Sequence, residues 1–289
     1  MVTDHYENFP VGSVLLPAPM RPHVAAVYAF ARAADDFADE GARGPDERYR
    51  LLDGWHERLV AAATDPGRPG PPPWPGEPAD VAALFLALGA TIGRHSLPLA
   101  LFEDLLSAFR QDVSTAAYET WPDLLDYCRR SANPVGRIVL RLAGVDNPEL
   151  DLRSDAVCTA LQLTNFWQDV GSDCVRGRVY LPADTLRAHR ATVGQLQAAV
   201  SGAAFRYTPL EWRNALADAA ARTRAFYVDG RPVCDAVPGR LRYELRATWL
   251  GGVRILDRLA ARDFNVLRHR PTLGALDAPW FLWRMLSWR

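Results

Sequence analysis

The amino-acid sequence predicts an all-α fold, and three observations carry that expectation. Apolar residues recur at spacings of three and four over most of the chain, no segment sustains the two-residue alternation of a strand, and glycine and proline mark where periodic stretches stop. A chain of 289 residues with 49% hydrophobic content can bury a large core, so a single domain of about ten helices over residues 1–289 is expected.

From Arg21 to Glu40 the residues Val24, Val27, Tyr28, Ala31, Ala34 and Ala38 form an apolar stripe on a helix that ends in acids, and Gly41 and Gly44-Pro45 stop it. A second helix runs from Asp46 to about Ala63. Asp65–Pro78, DPGRPGPPPWPGEP, cannot be helical because proline fixes φ and removes donors, so it reads as a surface loop with polyproline II character. Helical patterns resume at Ala79–Arg94 and at Pro98–Val113, the latter with Leu101, Leu105, Phe109 and Val113 in register. Trp121–Leu142 is a helix that Pro134 should kink, freeing a carbonyl one turn back. Asp151–Cys174 follows, then shorter helices near Ala183–His189 and Val193–Val200. Pro209–Tyr227 and Cys234–Arg262 complete the core, with Leu241, Leu245, Trp249, Val253 and Leu256 as an inner face. The tail Asp277–Arg289 carries Trp280, Phe281, Trp283, Leu286 and Trp288 with arginines. It reads either as a terminal helix docked on the core or as a peripheral membrane contact, since Trp and Arg suit the headgroup boundary.

Net charge is −1 and the basic residues are dispersed, which excludes recognition of nucleic acid by a broad positive field. All 33 Lys-or-Arg positions are arginine, a mark of biased composition that lowers the information in any one arginine. Cys128, Cys158, Cys174 and Cys234 form no C-x-x-C pair and fall inside helical stretches, which fits reduced, buried thiols in a cytoplasmic protein. The six histidines are scattered, so a metal held through nitrogen is not expected. The start, MVTDHYENFPVG, lacks the features of a signal peptide, and no apolar run reaches the ~18 residues that span a bilayer.

The chemistry concentrates in Ala160–Pro182. Gln162, Asn165, Asp169 and Asp173 stand at spacings of three, four and four, which puts two amides and two carboxylates on one side of a helix. The intervening Leu161, Leu163, Phe166, Trp167 and Val170 are apolar, so this row faces a cavity rather than open solvent. A buried carboxylate without a partner costs several kcal/mol, and a divalent cation is the simplest partner. The first helix supplies a second set: Asp35 and Asp39 are four apart and Asp36 and Asp39 three apart, with Arg32 one turn earlier. Alone, that acidic end reads as a solvated helix terminus. Paired with the first motif it reads as hard oxygen ligands for Mg²⁺ and a diphosphate, with Arg32, Arg176 and Arg178 able to clamp phosphate oxygens.

These motifs resemble those of the squalene/phytoene synthase family of head-to-head prenyl synthases over roughly residues 5–270. Asp35 and Asp39 resemble its D-x-x-x-D. Gln162, Asn165, Asp169 and Asp173 resemble its Q-x-x-N-x-x-x-D-x-x-x-D, and Arg178-Val179-Tyr180-Leu181-Pro182 is similar to its R-x-Y-L-P. Tyr28, one turn before Arg32, is similar to an active-site tyrosine of the family. The resemblance implies an isoprenoid synthase helical bundle around a central cavity and a prenyl diphosphate substrate. It implies Mg²⁺ held by Asp35, Asp39, Asn165, Asp169 and Asp173, and substrate contacts from Arg32, Asp36, Gln162, Arg176 and Arg178. The rings of Tyr28, Phe37, Phe166, Trp167 and Tyr180 are the implied stabilisers of a carbocation.

Departures from the family pattern bear on the reaction. Ala132-Asn133-Pro134-Val135-Gly136 stands for A-G-x-V-G, Asn165-Phe166-Trp167-Gln168-Asp169 for N-x-x-R-D, and Ser172 for a frequent Glu. Glu7-Asn8-Phe9-Pro10-Val11 replaces a serine-rich stretch, and Gly251-Gly252 lies where relatives usually carry a tyrosine. Together these resemble the hopanoid-pathway branch, whose hydroxysqualene synthase acts on presqualene diphosphate, so an upstream presqualene diphosphate synthase is the implied partner. Asn133 is expected to position the water that captures the cation; the other reading is that it satisfies the carbonyl freed by Pro134. No G-x-G-x-x-G follows a strand, and NADPH is not expected. Condensation of two prenyl diphosphates to squalene or phytoene is the alternative activity. A non-catalytic scaffold is the third reading, and the intact carboxylates speak against it.

Overall fold

A computed structural model of the chain describes residues 15–67, 70–202 and 207–288, so Glu7–Val11 lies outside the described residues. Among those residues there are thirteen α-helices and two 3-10 turns but no strand, only an isolated parallel bridge between Ala117 and Val179. The all-α expectation holds. The chain divides into two compact units, each gathered from separate stretches of sequence. One comprises the described residues up to Ser114 with Pro134–Asp151 and Val237–Glu244; the other comprises Thr115–Asn133, Leu152–Ala236 and the described residues from Leu245 onward.

In the first unit α1 (Arg21–Asp39), α2 (Pro45–Thr64), α3 (Val81–His95) and α4 (Leu99–Asp112) pack around an aromatic cluster. Phe30 meets Trp55 at 6.1 Å, Phe85 at 6.1 Å and Phe102 at 5.6 Å, and the Trp55 indole donates to the Phe30 carbonyl at 3.1 Å. Such rings bury the largest apolar area per residue, with about 1 kcal/mol more from edge geometry. Phe37, expected to face a reacting cation, is instead buried edge-on against Trp55 at 5.1 Å. The proline-rich loop is anchored as well as exposed. Buried Arg58 donates to the carbonyls of Pro71 and Pro72 at 2.9 Å each, pairs with Glu77 at 2.7 Å and covers the Trp74 ring. A single guanidinium thus satisfies backbone acceptors that a loop short of N–H groups cannot satisfy itself.

The expected helix Trp121–Leu142 is two helices, α5 (Trp121–Ser131) and α6 (Asn133–Leu142), because Pro134 cannot donate and its ring excludes a straight continuation. Ala132 takes the break, at φ −118° and ψ −44°. The start of α5 is set by a reciprocal cap between Thr120 and Asp123. Next come α7 (Pro148–Val175), α8 (Ala183–Ala188), α9 (Val193–Ser201) and α10 (Leu210–Gly230). The expected helix Cys234–Arg262 is also two, α11 (Val233–Ala236) and α12 (Leu241–Ala261), separated at Gly239, whose φ of +62° no ordinary helix accepts. On α12, Leu241, Trp249 and Leu256 are buried and Leu245 and Val253 half-buried, and Leu250, Ile255 and Leu259 widen the inner face.

In the second unit buried indoles find acceptors: Trp167 donates to Thr223 and Trp249 to the Tyr227 carbonyl, both at 2.8 Å. Cys128, Cys174 and Cys234 are buried free thiols and Cys158 is half-buried; burial pushes the Cys234 thiol up to about 12. The tail forms α13 (Ala278–Leu286), and one flank of it docks. Trp288 lies edge-on to Trp249 at 5.4 Å, donates to Asp235 at 3.0 Å and sits under Arg231 and Arg246, while Arg254 covers Trp280. The other flank presents Leu282, Trp283 and Leu286, 65%, 60% and 88% exposed. Among the described residues no helix is long and apolar enough to cross a membrane.

Candidate active site

Helix α7 carries the polar row of the second unit. Its start is set by Asn147, whose Oδ1 accepts from the N–H groups of Glu149 and Leu150 at 2.9 and 3.3 Å, with Pro148 in the first-turn position where its missing donor costs nothing. Its end is a left-handed cap: Gly177, at φ +78°, donates to Cys174 at 3.0 Å and Arg178 donates back to Asp173 at 2.8 Å. Between these ends Gln162, Asn165, Asp169 and Asp173 are all half-buried, whereas Leu163, Phe166, Trp167 and Val170 are buried. The row is thus not an exposed wet face.

The segment after the cap is pinned to the backbone before α5. Val179 donates to Ala116 at 2.8 Å, Ala183 to Tyr118 at 3.0 Å and Asp184 to Glu119 at 3.0 Å. That pinning sets Tyr180 flat on Phe166, with centroids 3.7 Å apart and planes 6° apart, and Tyr118 and Tyr127 lie about it at 6.0 and 6.3 Å. Trp167 points the other way. Its indole is spent on Thr223 inside the core, so it does not belong with the exposed faces expected to meet a cation. Asn133 is buried and its Oδ1 accepts from the Thr159 hydroxyl at 3.0 Å, a contact with α7 that neither sequence reading anticipates.

Asp169 is held by a residue that sequence reasoning misses. Arg270 reaches it in a fork, Nε to Oδ1 at 2.5 Å and a terminal nitrogen to Oδ2 at 2.9 Å. The bonds to Asp169 and the negative charge of Asp173 raise the guanidinium above its usual range, though burial works against this. Arg270 is 101 residues from Asp169, so no helical spacing connects them. The side chain before Asp169, Gln168, is buried and donates to the carbonyl of Pro271, next to Arg270. Arg176 is exposed and Arg178 half-buried at the end of α7.

In the first unit, α1 carries Tyr28, Arg32, Asp35 and Asp36, all half-buried, and Asp39, which is exposed at the helix end. Arg32 pairs with Asp36 at 2.7 Å, Glu40 at 2.9 Å and Asp35 at 3.4 Å. Acids at a helix C-terminus oppose its dipole, and α1 has no basic residue in its last turn. Arg48 answers part of that charge by donating to the carbonyls of Phe37 and Gly41 at 2.9 and 3.0 Å. A shallow depression elsewhere on α2, lined by Asp46, Tyr49, Asp53, Glu57 and Trp74, contains none of the expected site residues.

Among the described residues no group of three or more His, Cys, Asp or Glu side chains is gathered closely enough to hold a metal alone. Each acidic helix instead offers an i, i+4 carboxylate pair, and α7 adds the amide oxygens of Gln162 and Asn165. That donor set fits Mg²⁺, which takes one or two carboxylates and completes its shell with water and substrate phosphate.

Comparison with known proteins adds three findings. The family model for squalene/phytoene synthase matches residues 2–277. A hydroxysqualene synthase of Sinorhizobium fredii is 33% identical over 273 residues, covering 94% of this chain and 85% of the relative, and a phytoene synthase of Thermus thermophilus is 32% identical over 274 residues, covering 94% and 86%. Among solved structures, squalene synthase HpnC from Alicyclobacillus acidocaldarius matches with a TM-score of 0.76 at 37% identity over 90% of each chain.

Proposed function

Because the chain belongs to the squalene/phytoene synthase family, we propose that it converts presqualene diphosphate and water to hydroxysqualene and diphosphate, as a step of hopanoid biosynthesis. The observation that carries this reading is the half-buried Gln162, Asn165, Asp169, Asp173 row on α7 beside the Tyr180–Phe166 stack, an anion-handling face next to an aromatic wall. Asp35 and Asp39 on α1 and Asn165, Asp169 and Asp173 on α7 are the proposed Mg²⁺ ligands. When bound, Mg²⁺ would neutralise diphosphate charge and draw electron density from the leaving oxygen.

The chain's own residues do the rest. Gln162, Arg176 and Arg178 at α7, and Arg32 at α1, hold the diphosphate; Asp36 acts through Arg32, which it orients at 2.7 Å. The C–O bond breaks with both electrons on the leaving diphosphate. The cyclopropylcarbinyl cation left behind is stabilised over the faces of Tyr180 and Phe166 and by Tyr28. Ring opening gives an allylic cation, a water oxygen captures it, and its proton passes to diphosphate or solvent. Asn133, fixed by Thr159 and with a second Oδ1 lone pair still able to accept, is the proposed positioning residue for that water. No redox step occurs, so NADPH has no role.

Products formed from presqualene diphosphate, and separately from farnesyl diphosphate, each with Mg²⁺ and with or without NADPH, test the proposal. An alcohol from presqualene diphosphate alone is expected, with a lowered share of alcohol in Asn133→Ala. Squalene or phytoene from the simple prenyl diphosphates would make the chain a condensing synthase, and no product from any substrate would favour the scaffold reading.

Substrate and product of this reaction are lipids, and we propose that the outer flank of α13 rests on the membrane that holds them. Leu282, Trp283 and Leu286 face outward, and Arg284, within 5.7 Å of the Trp283 ring centre, suits an anionic headgroup. Leu282→Ser/Leu286→Ser should cut sedimentation with anionic liposomes several-fold without changing the melting temperature; equal sedimentation of both proteins would exclude this contact.

A further inference from the structure

We propose that Arg270 is a built-in counter-cation: it pairs with Asp169, competes with Mg²⁺ for that carboxylate, and so lowers the metal affinity of the site. The inference rests on the reading of Asp169 as a metal ligand. The fork leaves neither Asp169 oxygen uncommitted, since Nε takes Oδ1 and a terminal nitrogen takes Oδ2. The fork takes one lone pair on each oxygen and neutralises the carboxylate charge, so the guanidinium and a hard cation compete for the same group.

The contact belongs to a clasp rather than to a stray surface arginine. The segment carrying Arg270 is tied down on both sides: Gln168 of α7 donates to the Pro271 carbonyl, and Arg258 of α12 donates to the Thr272 carbonyl. Asp277 closes it by accepting from the Gly274 N–H at 2.9 Å and from Arg258 at 2.6 Å. Burial would raise the Asp277 carboxyl, but the Gly274 N–H and the charges of Arg258 and Arg254 outweigh it and hold the group below the usual carboxylate range. The clasp therefore presents Arg270 to Asp169 through anchors on α7 and α12, and Asp173 adds a second negative charge to the guanidinium's surroundings. Asp169 and Arg270 remain 26% and 49% exposed, so the exchange of cations can take place without unfolding the core.

In such a competition the apparent affinity equals the intrinsic affinity scaled by the fraction of molecules with the carboxylate open. Removing the fork should therefore tighten metal binding in the absence of substrate, whereas removing a supporting contact from a site normally weakens it.

Mn²⁺ titrations of the full chain without substrate, followed by electron paramagnetic resonance, test this. Arg270→Gln should bind Mn²⁺ roughly 3- to 10-fold more tightly than wild type. Arg270→Lys, which keeps the charge but loses the fork, should fall between them. Arg268→Gln, which removes a nearby charge engaged with Tyr207 rather than Asp169, should match wild type. Unchanged or weaker binding in both Arg270 variants, or equal tightening in Arg268→Gln, would overturn the counter-cation. Asp169→Asn separates the two layers: if it binds Mn²⁺ as wild type does, the reading of Asp169 as a metal ligand falls and the counter-cation with it.

Discussion

Asp169→Asn is expected to lower turnover of presqualene diphosphate on the order of 10³-fold while leaving the far-UV circular dichroism spectrum unchanged. The substitution keeps the size and shape of the side chain and removes only the anionic charge. Helix α7 gains its stability from the buried Leu163, Phe166, Trp167 and Val170, from the Asn147 cap and from the Gly177 terminus, none of which depends on that charge. Arg270 loses a partner but is half exposed and can be solvated, so folding loses little. The loss should therefore appear in catalysis and metal binding alone. Activity within tenfold of wild type would remove Asp169 from the metal site. An equal fall in helicity would turn the effect into one of folding.

Gly252→Ala is expected to lower the stability of the second unit by about 3 kcal/mol, from overpacking that the site cannot relieve. A Cβ there would lie 1.8 Å from the Tyr227 hydroxyl, 2.6 Å from its Cζ and 2.9 Å from Leu161 Cδ2. Tyr227 cannot swing aside: it is buried, its hydroxyl shares a hydrogen bond with Thr164 at 3.0 Å, and its carbonyl accepts from Trp249. Burial also raises that hydroxyl far above the usual tyrosine range, which keeps it neutral. The melting temperature should fall by roughly 6–12 °C. Gly194→Ala, where a Cβ would meet nothing within 4 Å, is the control and should change little. A Gly252→Ala melt within 2 °C of wild type would show that α10 and α12 are not in contact through this pair.

The pair also explains a sequence departure. Gly251-Gly252 reads in the sequence only as a missing tyrosine; in the folded chain Gly252 is the space into which Tyr227 of α10 fits. Local signals with a physical cause are readable in advance. The break at Pro134 follows from its missing donor, the start of α5 from the Thr120–Asp123 spacing, and the shared side of Gln162, Asn165, Asp169 and Asp173 from helical geometry. Two boundaries carry a local signal that apolar periodicity masks: Asn147-Pro148 opens α7 three residues earlier than expected, and Pro238-Gly239 separates α11 from α12 although the apolar spacing runs across it.

Other features have no local signal at all. Helical periodicity says that Phe166 and Trp167 lie on adjacent faces, but not that Phe166 stacks on Tyr180 while Trp167 is committed to Thr223. Phe37 resembles a site residue because it follows Asp35 and Asp36, and its burial against Trp55 depends on packing between α1 and α2. Arg270 is invisible in the sequence for two reasons: one arginine among many carries little information, and its partner is 101 residues away.

Incubation of the purified protein with presqualene diphosphate and Mg²⁺ in ¹⁸O-labelled water, without NADPH, tests the assigned reaction most directly. Hydroxysqualene carrying one ¹⁸O atom is the expected result, because the alcohol oxygen comes from the captured water and the diphosphate leaves with its own. Squalene, an unlabelled alcohol, or unconsumed substrate would contradict it.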